Sequence, residues 1–382
     1  MPGNRFIDPS ILMLKGFDVL KLLNWNVTTN TYDMYFQYNF KYTSGAVGLG
    51  NNFLAVCSYR QPTDALQDDI FMPKYFNTSV ILDQYTSGND MKFGHIYNIE
   101  DGFPKVVSSF PVNGCVDIFA FTINDRQCIA PLNFRSDIVT IICYNEVFST
   151  FEYFTTLQVK QPYQAKWISY SKFTYIFVGS MAIIDNGIST LNIFKINENG
   201  ESVLQNKIEM KVVQFEFSVL QLDSQHHDLL VVLQKASRVA NAFIRICHLT
   251  YDENGIISVA EIKDLHHDLL SSATRLSLTV TIDKRPLIVV ETSTMIVFFT
   301  GTPMGTDFRL HSKIHLSAGR TTNMEAFVDE TTKKIHVASS FIGTSQYDYY
   351  SFMDDKTVSS SYIYSSIYRP DFVFEEDADI FK

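Results

Sequence analysis

Apolar residues along this chain fall into two patterns that recur together. One is an uninterrupted tetrad, Tyr175-Ile176-Phe177-Val178; the other, a few residues further on, alternates apolar with polar, as in Leu191-Asn192-Ile193-Phe194-Lys195-Ile196-Asn197. A short apolar run predicts a strand buried on both faces, and alternation predicts a strand with one buried face. Tetrads of the same kind stand at Ile11–Leu14, Phe53–Val56, Cys128–Pro131, Leu229–Val232, Leu287–Val290 and Ile335–Ala338. In chain order the starts lie 42, 75, 47, 54, 58 and 48 residues apart, so a unit of roughly fifty residues repeats seven times.

Around each tetrad the unit fills out to four strands. Alternating segments precede it, as in Val116–Phe121, Ala165–Tyr170, Gln214–Val219 and Met324–Val328, and alternating strands follow it, as in Val139–Asn145 and Phe243–Leu249. Turn chemistry comes next at Asn197-Glu198-Asn199-Gly200 and Asp252-Glu253-Asn254-Gly255, where Asn-Gly favours a tight hairpin. Helical periodicity is confined to Pro9–Leu23, most of which the repeat claims for strands, and Leu265–Ser272. Four strands in about fifty residues is the length of a propeller blade. The expected fold is therefore all-β, a seven-bladed β-propeller forming a single domain over residues 1–382. Nothing precedes the first tetrad to supply an inner strand, whereas strands remain at the carboxyl end. Pairing of Phe372-Val373-Phe374 into the first blade would close the ring and remove an exposed edge.

The one long interval, between the second and third tetrads, holds residues 61–77 with Pro62, Pro73 and several acids. It reads as a blade insertion on a loop, where function often lies. Asp64, Asp68, Asp69 and Tyr75 are its candidate partner-surface residues, with a plain mobile loop as the alternative.

Composition narrows the function. With 46% hydrophobic and 14% aromatic residues, disorder is excluded over most of the length. A formal net charge of -10 and the lack of any basic stripe argue against nucleic acid as a partner. No apolar run approaches the roughly 20 residues that span a bilayer, so membrane insertion is not expected. The amino terminus does not resemble a signal peptide, and the expectation is either an intracellular protein or a domain of a longer secreted chain. The five cysteines show no CxxC and sit mostly in apolar strands, as buried hydrophobes do. Cys128 and Cys143 form a disulfide candidate, because a hairpin of Gln127–Leu132 with Ile138–Tyr144 would set them nearly opposite each other.

The inner strand of the type Tyr175–Val178, followed by an outer strand closing on an aromatic and Asn, as in Leu23-Asn24-Trp25-Asn26 and Ile142-Cys143-Tyr144-Asn145, resembles the EAR or EPTP repeat of secreted and cell-surface propellers. That resemblance implies an extracellular, non-catalytic module that binds another secreted or cell-surface protein. Two sequons, at Asn26 and Asn77, make glycosylation candidates and mildly favour secretion.

Catalytic motifs are sparse. There is no GxSxG, P-loop or GxGxxG. The duplicated pentads His226-His227-Asp228-Leu229-Leu230 and His266-His267-Asp268-Leu269-Leu270 read as loop histidines rather than a zinc site, since adjacent residues on a strand point to opposite faces. The repeat does not set acids, Asn or His at equivalent inner-strand positions, as a propeller hydrolase would. The leading expectation is thus a non-enzymatic protein-binding or adhesion module, extracellular or at the cell surface, needing no cofactor. A propeller hydrolase with a central-channel site and an intracellular (cytoplasmic) propeller scaffold are the alternatives.

Overall fold

The structure is a computed structural model that describes residues 11–15, 19–26, 31–39, 43–50, 52–58, 92–99, 104–181, 188–210, 212, 215–222, 227–235, 241–281, 284–315, 320–329, 334–342 and 365–368. Side chains are described for most of these between 45 and 313, together with Met324 and Ala326. The chain divides into two compact units, residues 1–228 with 248–260, and residues 229–247 with 261–382.

All regular structure among the described residues is antiparallel sheet, apart from one 3-10 turn at Asp268–Leu270. Five sheets have four strands and two have three, and within each sheet the strands follow chain order. This is propeller-like, all-β architecture. One four-stranded sheet takes Cys115–Ile123, Arg126–Asn133, Ile138–Asn145 and Thr150–Gln158; the next takes Pro162–Tyr170, Phe173–Ser180, Ser189–Ile196 and Ser202–Met210.

Burial explains the two sequence patterns. Tyr175–Val178 and Leu287–Val290 lie in second strands and are fully buried on both faces, which is why no polar residue interrupts them. The fourth strand Ser202–Met210 is largely exposed, and its apolar residues thin out accordingly. Between two sheets of the first unit the core is aromatic: the Phe53 ring meets Phe151 edge-on at 5.6 Å and Tyr144 at 5.4 Å. Such pairs add about 0.5–1.5 kcal/mol each beyond the area they bury.

Two β-bulges recur at fixed places. The first–second strand ladder skips one residue at Thr43/Gly45, Cys115/Asp117, Pro162/Gln164, Ala273/Arg275 and Thr321/Asn323. The third–fourth ladder skips one at Ile96/Tyr97, Ile141/Ile142, Ile193/Phe194 and Phe298/Phe299. The opening sheet, Ile11–Lys15, Val19–Asn26 and Thr31–Asn39, carries only the second kind, at Leu22/Leu23, so its described strands correspond to the second, third and fourth of the other sheets. In the last sheet Ser365–Tyr368 pairs with Lys334–Ile342 as a third strand. Phe372–Phe374, invoked above for ring closure, lie outside the described residues.

Turns behave as their chemistry requires. Asp252 Oδ1 accepts from the backbone of Asn254 and Ile256, and Gly255 completes the turn at φ +70. A Cβ there would stand 2.5 Å from the Phe173 ring, so only glycine fits. Leu265–Ser272 yields no longer helix than the Asp268–Leu270 turn, whose N-cap is His267, its Nδ1 accepting from Leu269 N at 3.1 Å. His267 is thereby committed to capping.

Cys247 is the one unbonded cysteine and is buried, which pushes its thiol up to about 12. Native protein at pH 8 should therefore take up no iodoacetamide, and denatured protein one equivalent; stoichiometric labelling of the native state would contradict this burial.

Candidate functional site

The first strand of each sheet lies at a sheet edge, so one row of its backbone groups has no ladder partner. Side chains from neighbouring sheets satisfy several of them. On Phe215–Leu220 this is most complete: the Tyr163 hydroxyl donates to Phe215 O and accepts from Phe215 N at 3.3 Å, while the Gln164 amide donates to Phe217 O at 3.1 Å and accepts from Phe217 N at 3.2 Å. Elsewhere Thr174 Oγ1 donates to Thr122 O at 3.1 Å and Gln221 Nε2 to Ser169 O at 2.8 Å. In the second unit Ala326 N donates to Ser277 Oγ at 2.9 Å.

The first-strand bulge sets the residue after it at a matching place in five sheets. Those residues are Gly45, Asp117, Gln164, Arg275 and Asn323, four of the five polar. Of the acids, Asn or His sought at equivalent inner-strand positions, only Asp117 and Asn323 are among them. The extra bulge residue displaces them from the alternation, and no single residue type recurs to reveal the match. Arg275 stands opposite Glu291 across its ladder, and both are buried.

Within the first unit, Asp117, Gln164 and Glu216 stand at the heads of three first strands. Glu216 is 3% exposed and lies between the two residues that Tyr163 and Gln164 hold. Tyr163 is fully buried; burial first, then the Glu216 charge, holds its phenol well above the ordinary value. Asp117 is half-buried, and its Oδ1 accepts from Ile118 N at 3.0 Å. The backbone beneath it is pinned: a Cβ on Gly45 would come within 2.9 Å of Asp117 C, and a disulfide joins Cys57 to Cys115 two residues before Asp117. Arg135, half-buried, follows Asn133 at the same end of the sheet, in a loop held by Asn113 N to Asn133 Oδ1 at 3.1 Å and Asn113 Nδ2 to Arg135 O at 3.2 Å.

A second cluster in this unit is structural. Asp228, 4% exposed, accepts from Leu222 N at 3.2 Å and from the Tyr251 hydroxyl at 2.7 Å, and the Tyr251 ring stacks on Tyr170 at 4.2 Å. Burial and the Asp228 charge hold the Tyr251 phenol far above its ordinary value; Tyr175, bonded to Gly255 O, is raised mainly by burial. Because these phenols are neutral in the folded state and titrate near 10 when unfolded, stability should be fully present below that pH and fall as pH rises above it. Tyr251→Phe removes a charge-assisted bond and should cost about 1.5–3 kcal/mol; an unchanged urea midpoint would count against it.

Only some of the candidate residues from sequence are among the described residues. Asp64, Asp68, Asp69, Tyr75 and Asn77 lie outside the described residues. Asn26 ends the strand Val19–Asn26 opposite Thr31. Cys128 and Cys143 face each other across their ladder and are joined by a disulfide. Cys57 and Cys115, read as buried hydrophobes, are joined by another. Of the histidine pentads, His266 and His267 pack on Phe243 and Phe299. Among the described residues no three His, Cys, Asp or Glu side chains are grouped to hold a metal ion. No described helix is long and apolar enough to cross a membrane.

No family model matches this sequence, and no curated protein matches it. Solved structures do. Hydrazine synthase from Kuenenia stuttgartiensis superposes with a TM-score of 0.56 at 9% identity, covering 95% of this chain and 93% of its own. A proposed 6-phosphogluconolactonase from Bacteroides uniformis gives 0.50 at 11% identity, covering 86% and 89%. A functionally unknown protein from Desulfotomaculum acetoxidans gives 0.50 at 12%, covering 87% and 92%. At such identities the likeness is one of fold. It corrects the expectation of a non-enzymatic adhesion module: that expectation came from the repeat, and the same repeat architecture is shared with proteins named as enzymes.

Proposed function

We propose that this protein is a propeller hydrolase that opens a small sugar-derived lactone, with Glu216 as general base. The observation that carries the reading is the placing of Asp117, Gln164 and Glu216 at the heads of three first strands of one unit, with Glu216 held on a backbone fixed on both sides. The lactone follows the substrate in the name of the Bacteroides uniformis protein. In this scheme Glu216 takes a proton from water as the water oxygen adds to the ester carbonyl carbon. The ring C–O bond then breaks, and the leaving alkoxide takes up that proton. Arg135 supplies positive charge for the oxyanion, and Asp117 anchors a sugar hydroxyl.

The test is acid release from δ-gluconolactone and its 6-phosphate, with an aryl arabinofuranoside for comparison. Turnover of a lactone above its spontaneous rate is expected; no acceleration on either lactone would overturn the reading. We also read the seven sheets as seven blades, which an experimental structure with another count would refute. The two disulfides support an oxidising compartment; free thiols at Cys57 and Cys115 in protein from its native cells would exclude it.

A further inference from the structure

We infer that Tyr163 and Gln164 are positioning residues for Glu216, an inference that rests on the hydrolase reading above. In an extended strand, alternate residues turn their backbone groups to the same edge. Phe215 and Phe217 therefore present N–H and C=O together, and Glu216 sits between them. One hydroxyl occupies both groups of Phe215 and one amide both groups of Phe217, so four hydrogen bonds hold the backbone either side of the carboxylate. Tyr163 is itself the bulge residue of its strand, and Gln164 follows it directly. The bulge breaks alternation there and lets two consecutive side chains reach the same neighbouring strand, which a regular strand would send to opposite faces.

The anchors are rigid. Tyr163 is fully buried, and its ring meets Phe215 edge-on at 5.7 Å; Gln164 is buried as well. The hydrogen bonds these two side chains make to Phe215 and Phe217 all go to backbone groups on either side of Glu216. Their effect on catalysis is therefore positional. Acid–base geometry tolerates little error, and a misplacement of about 1 Å costs on the order of 10²-fold.

The experiment compares Tyr163→Phe and Gln164→Leu with Thr174→Val, which removes an edge bond of the same kind, from Thr174 to Thr122 O, elsewhere in the unit. Each variant is assayed for lactone turnover across pH, and amide hydrogen exchange is followed at Phe215 and Phe217. Expected are a kcat about 10- to 100-fold lower in the two clamp variants with KM within about twofold, a shifted limb of the kcat/KM pH profile, and faster exchange at the two amides. Thr174→Val should change none of these. If Glu216→Gln abolishes turnover while both clamp variants keep full kcat and the wild-type pH profile, the positioning role is overturned and the hydrolase reading stands. Full activity in Glu216→Gln overturns both. Where a clamp variant does not fold, exchange in the wild-type protein decides: unprotected Phe215 and Phe217 amides overturn the clamp.

Discussion

Glu216→Gln should lower kcat for lactone opening by about 10²- to 10⁴-fold, the range that a positioned general base supplies. The substitution keeps the shape of the side chain and removes only its charge and basicity. Glu216 is 3% exposed, and the backbone on both sides of it is bonded to Tyr163 and Gln164, so the strand should hold its place in the variant. Replacing a buried carboxylate by an amide alters its hydrogen-bond partners, and the unfolding midpoint should be measured beside kcat to separate chemistry from stability. The expected result is lost turnover with retained cooperative unfolding. Glu216→Gln with kcat within threefold of wild type would remove Glu216 from the reaction. Asp117→Asn, by contrast, should raise KM more than it lowers kcat, because an anchor for a substrate hydroxyl contributes to binding in the ground and transition states alike.

Much of the fold was legible because it is written locally. Tyr175–Val178 is apolar throughout because its strand is covered on both faces, whereas Leu191–Asn197 alternates although most of its strand is buried too, Asn192 included. In the opening sheet the Leu22/Leu23 bulge marks Val19–Asn26 and Thr31–Asn39 as third and fourth strands of their blade. What escaped were relations between sheets. Tyr163 and Phe215 are 52 residues apart, and no local pattern says that a tyrosine will satisfy the edge of the next first strand. Asp117, Gln164 and Arg275 share a place in the register but not a residue type, and the bulge that makes them equivalent looks in sequence like ordinary apolar continuity. The contrast between the two disulfides has the same cause. Cys128 and Cys143 belong to adjacent strands of one sheet, so their meeting follows from a hairpin; Cys57 and Cys115 join different sheets, where only the packing brings them together.

Removing that second bridge should have the largest effect on stability. Cys57 and Cys115 are 58 residues apart in sequence, against 15 for Cys128 and Cys143. Chain-entropy arguments give about 4 kcal/mol for closing the longer loop and about 3 kcal/mol for the shorter. The longer bridge also stands where one other sheet uses a side chain. Gln164, after its bulge, reaches the backbone of the neighbouring first strand; the matching position in the preceding sheets is Gly45, which has no side chain and packs against the Asp117–Ile118 peptide. The covalent link from Cys57 to Cys115 joins the two sheets beside that position, and its loss removes their cross-link. Cys57→Ala/Cys115→Ala should therefore unfold at lower urea, with a larger m-value as the denatured chain expands, and the drop in stability should exceed that of Cys128→Ala/Cys143→Ala. An equal or smaller loss from the first pair would show that packing around Gly45 holds the two sheets without the bridge.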